Sequence, residues 1–265
     1  MQKLTEITSR ENPAVKHYIR LRDKKKARQE EKLFVAEGLR IVRDALQKPY
    51  SVQQLFLTET AFEKYQQDLL CEEVSQIFQI PDAVGKWMSD TEHTQGIFAV
   101  CHMPEQKQKM QPDGNYLVLC QLQDPGNMGM ILRTCDALGT DMLLMTECCD
   151  IYSPKVIRAT MGSIFRVPFL EVPSWKELFH QLEELEITSY ASVPAKNAVS
   201  LAETNFPSGS AVWIGNEGNG LPEALIQSCQ QKITIPMKGG AESLNAAMAA
   251  GIFLWEMMRS GEYHV

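Results

Sequence analysis

Residues 116–134 read Tyr116-Leu117-Val118-Leu119-Cys120-Gln121-Leu122-Gln123-Asp124-Pro125-Gly126-Asn127-Met128-Gly129-Met130-Ile131-Leu132-Arg133-Thr134. The apolar run Tyr116–Leu122 does not alternate with polar residues, which suits a strand of a parallel sheet covered on both faces. Pro125 and Gly126 fit the central positions of a type II turn. The stretch therefore predicts a strand, a tight turn and a helix over about 127–138. Gly129 lies one turn before Arg133 and removes a side chain that would crowd the guanidinium. Taken alone, the same residues also allow a plainer reading, with Asn127 as an N-cap and Arg133 as a solvated surface charge.

Outward from this unit the alternation repeats. Apolar strands are expected at Met142–Thr146, Ile187–Ser192, Ala211–Gly215 and Lys232–Ile235, with helices near 154–161, 174–185, 221–229 and 243–259. Upstream, residues 104–115 are polar, bracketed by Pro104 and Pro112, and lack periodicity, as a linker does. Before them come a basic helical stretch over about 12–31, an apolar Leu33–Val35 and a helix over Leu39–Gln47. A strand Gln54–Thr58, a helix Ala61–Leu70, a strand Gln76–Ile80, a short helix after Pro81 and a strand Gly96–His102 complete the segment. The expected organisation is a small α/β domain over 1–104, a linker over 105–115 and a larger α/β domain with a mostly parallel sheet over 116–265.

Composition narrows the function classes. The chain has 265 residues, 44% of them hydrophobic and 22% charged, which is ordinary globular usage. Cys71, Cys101, Cys120, Cys135, Cys148, Cys149 and Cys229 are odd in number and form no C-x-x-C pair, so a reduced, cytoplasmic protein is expected. No Cys/His cluster has zinc spacing, so no metal is expected. Met1–Glu6 has no apolar core of a secretory signal, and the apolar Leu244–Leu254 is interrupted by Asn245 and too short to span a bilayer. The latter reads as a buried helix. The net charge of −7 hides an asymmetry: residues 1–48 carry 13 Lys and Arg against 7 Asp and Glu, leaving 13 against 26 for the remainder. Lys24-Lys25-Lys26-Ala27-Arg28 concentrates the basic part and suits phosphate contact.

Two further loops resemble the first in kind. Ala211–Gly215 meets Asn216-Glu217-Gly218-Asn219-Gly220 before a helix whose start is marked by Pro222. Its glycines would let a ligand or another backbone come close, and their spacing is neither G-x-G-x-x-G nor a P-loop. Ile233-Thr234-Ile235-Pro236 ends a strand, and after Met237-Lys238-Gly239-Gly240-Ala241-Glu242 the residue Ser243 can cap a helix that is small and apolar nearly all round. A helix of that kind must be buried on several sides, within its domain or between subunits. Ligands of open α/β sheets bind beyond the carboxyl ends of the strands. Three polar, glycine-bearing loops at such ends are economically read as one site.

Asp124 through Arg133, Ile214 through Leu221, and Ile235-Pro236-Met237 through Ser243-Leu244-Asn245 resemble the three ordered motifs of the SpoU (TrmH) family of RNA ribose 2′-O-methyltransferases. Ser153-Pro154-Lys155 through Met161-Gly162-Ser163 and Arg166-Val167-Pro168 resembles the segment connecting them. Phe34-Val35-Ala36-Glu37-Gly38 resembles the N-terminal substrate-binding domain of many members. The resemblance implies a ribosomal-protein-like RNA-binding domain followed by an α/β-knot (SPOUT) domain whose deep trefoil knot binds S-adenosylmethionine, an exception to unknotted connection. It implies cofactor contacts from Gly215, Ile235, Met237 and Leu244. It also implies catalytic and RNA-contacting roles for Asn127, Arg133, Glu217, Ser243 and Asn245, and a homodimer formed through the C-terminal domain that buries the 243–259 helix.

With no histidine in the three motifs, Arg133 is the actor the resemblance implies, yet a guanidinium holds its proton too tightly to be an ordinary general base. A fork gripping phosphate and stabilising the developing alkoxide is favoured over proton removal by Arg133 itself. Asn127, Ser243 and Asn245 would orient Arg133 and the ribose, and Glu217 would hold its loop or a charged partner. RNA contacts are expected from Lys24, Lys25, Lys26, Arg28, Lys155, Arg158 and Arg166, while Asp136 and Asp141 read as surface or turn residues. Ribosomal RNA is favoured over transfer RNA. A catalytically silent RNA- or ribosome-binding protein on the same scaffold is the alternative.

Overall fold

The computed structural model describes residues 4–47, 52–69, 74–104, 108–195 and 197–260. Cys71 lies outside them. Two units are distinguished: Met1–Glu105 together with Asp150–Phe165, and Gln106–Cys149 together with Arg166–Val265.

In the first unit, β1 (Leu4–Glu6), β2 (Leu33–Glu37), β3 (Val52–Thr58), β4 (Gln76–Ile80) and β5 (Ile97–His102) form a sheet in the order β1-β4-β3-β5-β2. Strand β5 runs antiparallel to both neighbours. Helices α1 (Pro13–Asp23), α2 (Lys25–Glu31), α3 (Leu39–Leu46), α4 (Glu59–Leu69) and α5 (Asp82–Met88) connect them. The continuous basic helix expected over 12–31 is two helices, because Lys24 adopts an extended conformation (φ −118°, ψ 107°) between them. Strand β1 was not expected: all three of its residues are exposed, so no apolar run marks it. Tyr18 anchors the core, its ring edge-on to Phe56 and Phe98 at 5.9 and 5.6 Å.

Segment 150–165 belongs to this unit although it follows a strand of the other. Its helix α7 (Pro154–Thr160), capped by the Ser153 side chain accepting from Val156 N, packs on β2. The Phe34 ring lies 5.1 Å from Tyr152 and 6.0 Å from Phe165. Gly162 has φ +94°, and a Cβ there would collide with the Asp44 carboxylate. The turn after α7 therefore requires glycine on both counts.

The second unit is a seven-stranded parallel sheet of β6 (Tyr116–Cys120), β7 (Met142–Thr146), β8 (Phe169–Val172), β9 (Thr188–Ser192), β10 (Val199–Ser200), β11 (Ser210–Ile214) and β12 (Gln231–Thr234). The order is β10-β12-β9-β11-β6-β7-β8. Helices α6 (Pro125–Leu138), α8 (Trp175–Glu184), α9 (Glu223–Ser228) and α10 (Ala246–Ser260) complete it. Every residue of β6, β7 and β11 is buried, which accounts for their unbroken apolar runs. Each such Leu or Val contributes roughly 1.5–3 kcal/mol by leaving water. The edge strands β8 and β10 were not anticipated, being short and only partly buried.

Helix α10 departs from the expectation of burial on several sides. Ala246, Ala247, Ala250, Phe253, Leu254 and Met257 are buried, whereas Met248 and Trp255 are 57% and 52% exposed. One face packs, in part on α6, and the other is apolar but open.

Candidate active site

Because β6 and β11 are parallel neighbours, their carboxyl ends deliver the loops 121–124 and 215–220 side by side. Strand β12 runs in the same direction two places along, and its loop leads to α10. The three loops thus share one edge of the sheet.

The expected type II turn is instead the start of α6. The Asp124 side chain accepts from Asn127 N at 2.8 Å as the N-cap, and Pro125 takes the first helical position, where a missing N–H costs nothing. Asn127 is accordingly inside the first turn, 7% exposed, and is not the cap. The cap was still legible, since Asp followed by Pro is a helix-start signal.

The second loop folds back on itself. Asn216 and Gly220 exchange two backbone hydrogen bonds of 3.0 Å, and Asn216 Oδ1 accepts from Gly218 N and Asn219 N. Gly215 must be glycine because a Cβ would strike the Gly220–Leu221 backbone. The approaching group is therefore the loop's own main chain.

Glu217 projects from this loop to the first. Its Oε1 accepts from Asp124 N (2.9 Å) and Asn127 Nδ2 (3.1 Å), and its Oε2 from Gln123 N (3.2 Å). Asn216 Nδ2 donates to Gln121 O at 2.9 Å, doubling the tie. Partial burial works to raise the Glu217 carboxyl, but its backbone and Asn127 donors together outweigh burial and hold the pKa below the usual glutamate value. The group is a carboxylate at neutral pH, committed to accepting.

The third loop joins through Asn245, whose Nδ2 donates to Asn127 Oδ1 at 2.9 Å. Its own Oδ1 accepts from Ala247 N and Met248 N, so Asn245 caps α10 in place of Ser243. The helix begins at Ala246, leaving Ser243 too far upstream to cap it. Asn127 is therefore the hub of a chain Glu217–Asn127–Asn245 that links all three loops.

The remaining site residues stand apart from this chain. Arg133 is exposed on α6 and makes no hydrogen bond or ion pair with any described residue. Six residues of helix separate it from Asn127, about 9 Å along the axis. Ser243 is exposed and likewise unpaired among the described residues. Leu244 is 39% exposed, while Ile235 and Met237 are half-buried.

Of the basic residues, Lys24, Lys25, Lys26 and Lys155 are exposed. Arg28 is only 4% exposed: it binds Asp150 Oδ2 through Nε and Nη2 and the carbonyls of Leu21 and Arg22 through Nη1. It is an internal tie, contrary to the RNA contact expected of it, because its guanidinium is buried against Asp150 and main-chain carbonyls. Arg158 pairs with Asp90 at 2.9 Å. Arg166 pairs with Asp136 at 2.7 Å, which gives Asp136 a role beyond a surface residue, and Asp141 accepts from Asn115 N. Among the described residues no group of three or more His, Cys, Asp or Glu could hold a metal ion, and no helix is long and apolar enough to cross a membrane.

Residues 114–255 match the SpoU rRNA Methylase family, and residues 12–99 match the MRM3-like substrate binding domain. The chain is 30% identical over 257 residues to the 23S rRNA (guanosine(2553)-2′-O)-methyltransferase RlmP of Bacillus subtilis, covering 96% of this chain and 99% of that one. It is 30% identical to the 23S rRNA (uridine(2479)-2′-O)-methyltransferase of Streptomyces viridochromogenes, over 85% and 82% of the two chains. Among solved structures, the AdoMet-bound rRNA methyltransferase of Sinorhizobium meliloti superposes with a TM-score of 0.87 at 27% identity, covering 98% of this chain and 99% of that one.

Proposed function

The chain belongs to the SpoU rRNA Methylase family, and we propose from that premise that it transfers a methyl group from S-adenosylmethionine to a ribose 2′-hydroxyl of ribosomal RNA. The observation that carries the reading is the Glu217–Asn127–Asn245 chain, which draws three loops distant in sequence to one edge of a parallel sheet. Full-length likeness runs to proteins named for ribosomal RNA. The structure concerned with C/U34 of tRNA matches only 56% of this chain, which favours ribosomal RNA as the substrate.

The residues at the end of β12 fit the methyl donor. Ile235, Met237 and Leu244 present half-buried or open apolar surface, which suits an adenosine and a thioether-like chain. When bound, the donor supplies a methyl carbon already activated for attack. What remains for the protein is to hold the 2′-oxygen in line with that carbon, so that the O–C bond would form as the methyl–sulfur bond breaks to leave a neutral thioether and the hydroxyl proton passes to water. Asn127 and Asn245 are fixed by their mutual bond and orient the ribose. Arg133, exposed and without a partner among the described residues, grips the phosphate with its guanidinium fork and stabilises the developing alkoxide. Ser243, exposed and without a partner among the described residues, is available to contact the substrate.

The same reading assigns RNA binding to the first unit, with Lys24, Lys25, Lys26 and Lys155 as phosphate contacts, and methyl transfer to a trefoil-knotted second unit. It includes a homodimer through the open apolar face of α6 and α10, where Met130 is 48% exposed alongside Met248 and Trp255. A cytoplasmic location agrees with the free cysteines among the described residues.

Tritium transfer from labelled S-adenosylmethionine to fractionated total RNA, followed by mapping of 2′-O-methyl sites, tests the function. Label is expected in the ribosomal fraction; label in transfer RNA alone would redirect the substrate, and none in any fraction would leave a silent RNA-binding protein. Arg133→Lys keeps the charge but loses the fork. It should reduce turnover by at least about a hundredfold while donor binding, followed by calorimetry, stays near wild type.

A further inference from the structure

Exposed tryptophan is uncommon, because the indole loses more by hydration than any other side chain of its size. In the first unit, Trp87 at the end of α5 is 39% exposed, and its ring stacks on no aromatic partner among the described residues. Its main chain is nevertheless held firmly. Arg22 Nη1 donates to the carbonyls of Trp87, Met88 and Ser89 at 3.2, 3.0 and 3.3 Å, closing the carboxyl end of α5 with a guanidinium from α1.

That bond brings α5 to the break between α1 and α2, where Lys24, Lys25 and Lys26 stand exposed in succession. Lys86, next to Trp87, is exposed as well. The acids nearby are largely engaged: Asp23 pairs with Arg22, and Glu30 with Lys26 at 3.7 Å. An exposed indole on a firmly held main chain, with exposed lysines at the adjoining helix break of which only Lys26 is ion-paired among the described residues, is complementary to an unpaired nucleotide, with a base for the ring and phosphates for the lysines.

We propose that Trp87 is a base-stacking platform and that, with Lys24, Lys25, Lys26 and Lys86, it forms a single-stranded RNA docking surface on the first unit. The proposal rests on the RNA-methyltransferase reading and adds to it: the substrate is gripped at an unpaired base away from the methylated ribose. Stacking is sequence-tolerant and nearly independent of salt, whereas lysine contacts release counterions. The two contributions are therefore separable.

The test is binding of the full chain to a fluorescein-labelled, unstructured RNA 15-mer over a salt series. Trp87→Ala should weaken binding about tenfold or more with an unchanged salt slope, and Trp87→Phe should recover most of the loss. Lys24→Ala, Lys25→Ala and Lys26→Ala combined should make the slope shallower. Equal affinity for Trp87→Ala and wild type overturns the proposal, as does a Trp87→Leu variant that binds as well as Trp87→Phe, since that marks a merely apolar surface. Methyl transfer by the wild-type chain is assayed in parallel. Its absence defeats the enzymatic reading and leaves the stacking result to be judged by itself.

Discussion

Glu217 illustrates how one side chain can matter through the loops it ties together. Its two oxygens take four donors, two of them from the main chain just before α6 and the weakest from Asn216 Nδ2 at 3.5 Å. The positive end of that helix adds to the preference for a carboxylate there. Since the folded-state pKa is depressed, the associated stability is present at pH values above the ordinary glutamate range. It is lost as acid carries the group through its lowered folded value. Glu217→Gln turns one acceptor into a donor facing other donors. At pH 7 it should lower stability by about 1 kcal/mol, a modest figure because the residue is largely exposed. Urea midpoints of the two proteins should then converge as the pH falls below about 4. A gap that persisted at pH 3 would show that the carboxylate's charge is not what holds the loops. Methyl transfer should fall by more than stability does, because Asn127 loses its orienting partner while the fold survives.

The elements were legible where burial is complete and obscure where it is not. Strand β7 has the bounds its apolar run announces, Met142–Thr146, because every residue is covered. Strands β1, β8 and β10 escaped notice because edge strands are short and expose residues that break the pattern. The site was legible as residues but not as partners. Asn127 lies 90 positions from Glu217 and 118 from Asn245, and only the parallel register of β6 and β11 and the strand order bring them together. Nor does any local pattern reveal that 150–165 packs against β2, or that Arg28 is buried by it. That segment carries its own prediction. Arg28→Ala leaves the Asp150 carboxylate, only 15% exposed, without its cation, and should destabilise the first unit by about 3–5 kcal/mol. Native-state hydrogen exchange should then rise in α2 and in 150–165 together. Fast exchange confined to α2 would mean that the segment is held by Phe34, Tyr152 and Phe165 alone.

At the scale of the whole molecule, the net charge of −7 is the sum of unlike parts, and the basic one lies within the first 48 residues. RNA attraction is thus a local property that a whole-chain average conceals. The acidic remainder carries the other global feature, the open stripe of α10. Met248, Ile252 and Trp255 recur at helical spacing on the face away from the buried alanines, and α6 beside it exposes Met130. Arg133 lies on that same α6, one turn beyond Met130, exposed, without a partner among the described residues, and about 9 Å along the helix from Asn127. An isologous contact through the stripe, as proposed above, would bring each Arg133 toward the partner copy and let it serve the partner's site. Trp255→Glu should therefore yield a monomer by sedimentation and abolish transfer with donor binding weakened far less. Mixing decides whether Arg133 acts across the interface. Arg133→Ala and Asn127→Ala proteins are each expected to be inactive, but their mixed dimer would pair an intact Asn127 with the partner's intact Arg133 in one of its two sites. Random re-association makes half the dimers mixed, so about a quarter of wild-type activity should return. No recovery after verified subunit exchange would assign Arg133 to the site of its own chain.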